Sequence, residues 1–457
     1  MTSAPSPTYT SACTATFSSR SRATVIAAVL CFLPILTITL LSWWQADRLA
    51  PLFAIGPTSN LAALRAVLRG FFHLSEHGDS WLPMQHALDM MKSTGRNALY
   101  ENLFFRDHVR FQYPPSSLLA LDLLSGTKMA SVHGLNALNT LIFVLNAAAV
   151  SWLSWLLFRN GRLATAPYPH AMTLFVAGAA LLFYPLLRAH LLGQIQLWID
   201  LLFSLTMIAW FLERRLLAGL CIGMACSIKP QLGLLLFWAL LWREYSFAAG
   251  IIASLAPLLG LSLFFYGLHN HLAYLDVMSF LSRHGESYFA NNSANGILNW
   301  YLSSDDSLHW HESSFPPYNS LIHVGTMAAS LLALALVVAP PLLAKRRATL
   351  TDLGAAAICS VVGSPVAWEH HYGILLPLYL VALFQVFAMS GGSRRFLAIV
   401  TLTLSWVLVA NFIPFASLWA HTYWVALQAY CFFGALLLLV FFLSLKGGAL
   451  SARTIPP

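Results

Sequence analysis

Apolar residues run along this chain in long stretches broken by short polar turns, with little of the two-residue alternation that marks a half-buried strand. The first run, 23–44, is long enough to span a hydrocarbon core of ~30 Å. It follows a polar leader, MTSAPSPTYTSACTATFSSRSR, but has no small-residue cleavage site, so it reads as a retained first helix rather than a signal peptide. Further apolar segments lie at about 133–158, 170–188, 196–212, 216–228, 231–242, 246–266, 320–343, 349–363, 372–389, 395–414 and 421–445. Several fall short of the ~20 residues that a straight span needs and must be tilted, broken or buried among neighbours. The pattern predicts an all-α fold: one polytopic bundle over 23–445. A disordered cytoplasmic tail (1–22) precedes it and a short one (446–457) follows. Two large polar loops, roughly 45–132 and 267–319, are expected to carry amphipathic helices.

Composition agrees with a membrane location, since 58% of residues are hydrophobic and only 9% charged, with a mean hydropathy of +0.69. The net charge of +8 does not point to nucleic acid, because the basic residues sit between apolar runs. Alternating sides from Arg20 and Arg22 inward places Arg159, Arg162, Arg214, Arg215, Arg243, Lys345 to Arg347, Arg394, Arg395, Lys446 and Arg453 on the cytoplasmic side. Outside the first large loop, the other side keeps only Arg188, Lys229 and Arg283. That asymmetry supports about twelve segments with both ends inside. It also divides 216–242 into two short segments meeting at Lys229-Pro230, since a single span there would send Lys345-Arg346-Arg347 outside. The six cysteines mostly lie in apolar segments and show neither metal-ligand spacing nor a disulfide framework.

Acids and histidines concentrate in the two large loops and at the outer helix ends, leaving only Glu213, Glu244 and Asp352 inside. Chemistry is therefore expected outside. No Gly-rich phosphate loop or soluble nucleotide-binding domain is visible, which disfavours a nucleotide-sugar donor. The polar motifs come in a definite order. HLSEHGDSWLPMQHAL carries Glu76 and Asp79; RFQYPPSSLLALDLL carries Tyr113 before Pro114-Pro115, a pair that fixes a turn and opens a new helix. AHLLGQIQLWIDLLF brings Gly193 and Gln194 to an outer helix boundary, and CSIKPQLGLLLF brings Lys229 to another. NNSANGILNWYL follows with Asn292, and SPVAWEHHYGILLPLY ends the series with Trp368, Glu369, His370 and His371.

In order and spacing, an early Asp, Tyr-Pro-Pro, Gly-Gln, Lys-Pro, Asn-x-Ser and Trp-x-His-His resemble the polyprenol-phosphate-mannose-dependent α-mannosyltransferases, family 87 of the GT-C glycosyltransferases. The resemblance covers about 79–379. It implies transfer of a sugar, mannose by precedent, from a β-linked polyprenyl-phosphate donor to a hydroxyl of a glycolipid or glycan, with inversion. Asp79 would be the base, and Lys229, His370 and His371 would lie near the donor phosphate. Glu76, Tyr113, Gln194, Asn292 and Trp368 are candidate substrate contacts. The implied location is the bacterial plasma membrane, with the active site on its outer face. Two departures stand out: Ser80-Trp81-Leu82-Pro83 replaces the usual aromatics after the early Asp, and Asn291-Asn292-Ser293 replaces Asn-Gln-Ser.

The chemistry fits those residue types. A carboxylate can take the proton of an attacking hydroxyl, worth typically ~10²–10⁴-fold. A phosphate monoester leaves as a stable anion whose growing charge needs fixed cations rather than a general acid. Neither a metal nor another cofactor is called for. Competing readings remain at single residues, because an Asp before a helical stretch also caps it and a lysine at a helix break also snorkels. For the chain as a whole the rivals are a secondary transporter and a lipid-linked-sugar flippase, which would account for broken helices and intramembrane polar residues such as Asp200. The arginine and lysine asymmetry predicts that a cysteine at Ser303 reacts with an impermeant thiol reagent applied to intact cells while one at Ala344 stays silent. The opposite labelling pattern would invert the topology.

Overall fold

The computed structural model describes residues 30, 32–45, 48, 59–72, 77–93, 98–160, 169–303, 305–343, 346–389 and 392–445. Among them the fold is all-α, with one isolated bridge between Asn291 and Trp368. The described part of the first apolar run is α1 (Phe32–Trp44). The first polar stretch folds as α2 (Asn60–Phe72), α3 (Trp81–Ser93), a π turn (Glu101–Arg106), a 3-10 turn (Pro115–Ser117) and α4 (Leu118–Leu124). The bundle follows: α5 (Val132–Asn160), α6 (Pro169–Leu181), α7 (Tyr184–Leu191), α8 (Gln196–Phe211), α9 (Arg215–Cys226), α10 (Leu234–Leu241) and α11 (Tyr245–His284). It closes with α12 (Ala294–Leu302), α13 (Ser320–Leu343), α14 (Leu350–Val362), α15 (Leu375–Ala388), α16 (Ser393–Val409) and α17 (Tyr430–Ser444).

Four helices among the described residues are long and apolar enough to cross a membrane, and a bent pair makes a fifth. That pair is α6 and α7, which meet at 45° where one segment over 170–188 was expected. Pro185 in the first turn of α7 removes a backbone donor and favours a fresh start there. Helix α9, at 12 residues, rises only about 18 Å, well short of a bilayer core. Such half-length helices put their termini inside protein. Two more boundaries differ from expectation. The run 246–266 continues as helix to His284 through a break at Gly267, whose φ is +76°. The last helix starts at Tyr430 rather than 421, because Pro414–Trp419 and Val425–Gln428 form 3-10 turns.

The outer surface of the bundle is apolar, with Leu321, Leu331 and Leu332 of α13 and Phe264 of α11 standing exposed. That is the surface of an integral membrane protein. One end collects charge on the turns around α9 and α14. Arg215 Nη2 lies 2.8 Å from Glu213, and the capping box of Thr349 and Asp352 is joined by Arg346 at 2.6 Å. The opposite end gathers residues 77–80, 192–196, 227–230, 286–293 and 365–373.

Close packing of α9 on α11 holds the middle of the bundle. A Cβ on Gly219 would stand 2.1 Å from the Phe247 carbonyl oxygen, one on Gly250 2.2 Å from that of Leu216, and one on Gly223 2.0 Å from Ser254 Oγ. Spacing of four residues on both helices makes this a small-residue crossing, the usual device where burial from lipid gives no hydrophobic gain. Gly219→Leu should therefore lower the thermal midpoint and cost about 1–3 kcal/mol or more. Gly260→Ala, where nothing lies within 4 Å, should leave the midpoint unchanged. A normal midpoint in Gly219→Leu would mean that the crossing does not hold the bundle.

Candidate active site

Asp79 occupies a turn at the start of α3, docked onto the loop between α7 and α8. Its N–H donates to Leu192 O at 2.9 Å. Ser80 is buried beside it, and its Oγ donates to Gln194 Oε1 at 2.7 Å, accepts from the Ile195 N–H at 3.0 Å and lies 2.8 Å from Tyr113 Oη. Asn136 Nδ2 donates to His77 O at 2.8 Å while its Oδ1 accepts from Trp81 Nε1 at 3.0 Å. Gly193 makes the docking possible: its φ is +66°, and a Cβ there would lie 2.3 Å from His77 O. Gln194 Nε2 donates to Asp79 Oδ2 at 3.4 Å. Tyr113 and Gln194 thus act through this corner, holding the turn that aims Asp79. Asp79 stays open to solvent. Burial by the surrounding protein nonetheless raises its pKa above the ordinary 3.8, an effect that the Arg188 charge and the Gln194 hydrogen bond only partly offset.

Basic side chains come from three other elements. Lys229 lies in the turn between α9 and α10, and its Nζ donates to Gln196 Oε1 at 2.6 Å. Burial pushes its ammonium down to about 7, against the pull of Asp200. His370 and His371 sit in the 3-10 turn Glu369–Ile374. Their adjacency predicts that the rings diverge and only one faces the site. The rings meet edge to face, centroids 4.7 Å apart, and both lie within electrostatic reach of Lys229, with His370 buried and His371 half-buried. His371 Nδ1 is buried without a hydrogen-bond partner among the described residues.

Arg188 on α7 joins the two halves, and sequence reasoning counted it only as one basic residue among many. Its Nε lies 3.9 Å from Glu369 Oε2, and both side chains are buried. Glu369 Oε1 accepts from Tyr430 Oη at 2.5 Å. The Arg188 charge acts on both Asp79 and His370. A buried arginine in an apolar segment, four residues before Leu192-Gly193, was the available signal.

The model of glycosyltransferase family 87 matches residues 111–368, more than half of the chain. The chain belongs to glycosyltransferase family 87. No curated protein and no solved structure matches it. The protein is thus a membrane glycosyltransferase, which sets the transporter and flippase readings aside. The matched span holds Tyr113, Arg188, Gln194, Lys229, Asn292 and Trp368, whereas Asp79, His370 and His371 fall outside it.

Other candidate residues of this family 87 enzyme take different places. Glu76 lies outside the described residues. Asn292 is a buried bracket. Its Oδ1 accepts the Cys431 N–H at 3.0 Å, its own N–H donates to Ala367 O at 2.9 Å, its Nδ2 reaches Phe289 O at 3.3 Å, and Tyr372 Oη donates to its carbonyl. Its amide is fully enclosed, with its groups taken up by protein. Trp368 is half-buried in an aromatic wall, 5.6 Å from Trp310 and 6.5 Å from Tyr288. Arg110 braces that wall: it stacks 4.2 Å from Trp310, pairs with Glu286 and donates to Glu312 O at 2.8 Å. Among the described residues no group of three or more His, Cys, Asp or Glu could hold a metal ion. Asn292→Ala should lower the thermal midpoint, at a cost of about 1–3 kcal/mol for the buried Cys431 N–H left unpaired. Folded Asn292→Ala should bind donor normally, and a selective loss of sugar affinity at unchanged stability would restore it as a substrate contact.

Proposed function

We propose that this family 87 enzyme transfers a hexose, mannose on the precedent of the resemblance, from a β-linked polyprenyl-phosphate donor to a hydroxyl of a glycolipid or glycan. The transfer takes place on the outer side of a bacterial plasma membrane. The observation that carries the reading is the meeting, from four separate stretches of chain, of one solvent-reachable carboxylate with Arg188, Lys229 and the His370-His371 pair. A base beside fixed cations and N–H donors suits a displacement in which a proton leaves one oxygen while negative charge grows on another.

Asp79 accepts the proton of the acceptor hydroxyl as that oxygen bonds to the sugar C1. The bond from C1 to the phosphate oxygen breaks on the opposite face, and its electron pair leaves with the polyprenyl phosphate. Attack opposite the leaving group converts a β-linkage to an α-linkage. Lys229 and Arg188 meet the growing phosphate charge with N–H donors already in place, so little reorganisation is needed as the bond breaks. His370 and His371 add further ring N–H groups to that side.

Asp79→Asn should keep donor binding and lower single-turnover transfer by at least ~10²-fold, because an amide cannot take the proton. The pH profile gives a second check. Asp79 works ionised, so the rate falls as pH drops through its raised pKa, and the acid limb lies above that of a free aspartate. Arg188 favours the ionised form, so Arg188→Gln should move that limb to still higher pH. Full turnover in Asp79→Asn, or an acid limb unmoved by Arg188→Gln, would remove Asp79 as the base.

A further inference from the structure

Asp200 lies on α8, one turn beyond Gln196, in a segment of almost wholly apolar residues, and its side chain is completely buried. A carboxyl group placed there is expensive, and its two oxygens have different surroundings. Oδ1 accepts from Gln196 Nε2 at 2.8 Å. That contact turns the amide so that its oxygen faces the other way, where it accepts from Lys229 Nζ at 2.6 Å. Oδ2 is buried with no hydrogen-bond partner among the described residues. It presses on the backbone of Gly373, where a Cβ would stand 2.2 Å away. Gly373 belongs to the same 3-10 turn as His370 and His371.

We propose that Asp200 is a positioning residue that acts through Gln196 to aim the Lys229 ammonium at the donor phosphate, and that Gly373 is glycine to let it sit there. The inference rests on the reading of Lys229 as a phosphate contact. A glutamine amide carries an acceptor at one end and donors at the other, and nothing else on α8 determines which end meets Lys229. With Asp200 taking the N–H, only the oxygen can face the ammonium. One of the three Lys229 N–H groups is then anchored and two remain for an anion. Without Asp200 the amide can turn its own donors toward Lys229, and the ammonium loses its anchor. A methyl group on Gly373 would displace the Asp200 carboxyl and break the same chain from the other side.

The test uses the full-length enzyme in proteoliposomes of one lipid composition, with a β-linked polyprenyl-phosphate mannose as probe. Donor affinity, single-turnover rate and thermal midpoint are read for each variant. Lys229→Ala and Asp200→Ala should each weaken donor affinity roughly tenfold, and the double variant should be no worse than Lys229→Ala alone. Asp200→Asn keeps an acceptor oxygen for Gln196 and should stay within about threefold of wild type. Gly373→Ala should behave as Asp200→Ala does. Gln196→Leu breaks the middle link while leaving Asp200 and Gly373 in place, and it carries the test should Asp200→Ala fail to fold. Normal affinity in Gln196→Leu or Asp200→Ala beside a weakened Lys229→Ala, or additive losses in the double variant, would overturn the role of Asp200 alone. Normal affinity in Lys229→Ala would remove the phosphate contact and the positioning chain together.

Discussion

A charge carried into an apolar bundle is stable only where other polar groups answer it, and the whole site is organised around that requirement. Arg188 is answered by Glu369, which Tyr430 holds in turn. Lys229 is answered by Gln196, which Asp200 holds. Each cation is therefore fixed by a second residue and a third: Glu369 and Tyr430 come from separate elements, while Gln196 and Asp200 share α8 one turn apart. The result is a group of donors whose directions are set before any substrate arrives. Such preorganisation is what stabilising a departing anion demands, because a flexible cation would spend part of its interaction on being ordered.

Short helices supply the places where those charges can sit. A full-length span offers its backbone groups no exit within the bilayer, so polar loops at that depth must be enclosed by protein. Here the enclosure is built from helices that stop part-way. Helices α7 and α8 meet at Gly193, α9 and α10 meet at Lys229, and the 3-10 turn before α15 carries Glu369, His370 and His371. Their ends converge. Close contact of α9 with α11 through Gly219 and Gly250 compensates for the shortness by anchoring one partial helix along a long one.

The second polar stretch completes the wall above the site. Arg110, from the first stretch, reaches the backbone of residues 311–314 and stacks on Trp310 and Phe315, so the two stretches are fastened to one another. Trp310, Trp368 and Tyr288 then form a connected aromatic surface near the Arg188–Glu369 pair. Asn291, Asn292 and Ser293 tie this wall to the turn at 365–368 and to α17. The polar residues of that motif are therefore framework, while Trp310 and Trp368 keep free surface.

Amino-acid order alone determined the membrane location, the helical class and most helix positions, because a bilayer imposes length and hydropathy on each segment whatever its neighbours do. Lys229 and the histidine pair were visible for the same reason, as polar residues at the ends of apolar runs, whereas Asp79 lies within the first large polar stretch and stood out only through the order of motifs in the family resemblance. Tertiary structure decided which of them work together. Arg188 looked like any other basic residue in a run of leucines until the fold set it between Asp79 and His370. Packing encloses Asn292, a feature that its place in a polar motif does not reveal. Asp200 acquired a partner only when one turn of α8 placed Gln196 between it and a lysine 29 residues further along the chain. Hydrogen bonds and electrostatic contacts act over a few ångströms between residues far apart in sequence, and no one-dimensional pattern records which of them meet.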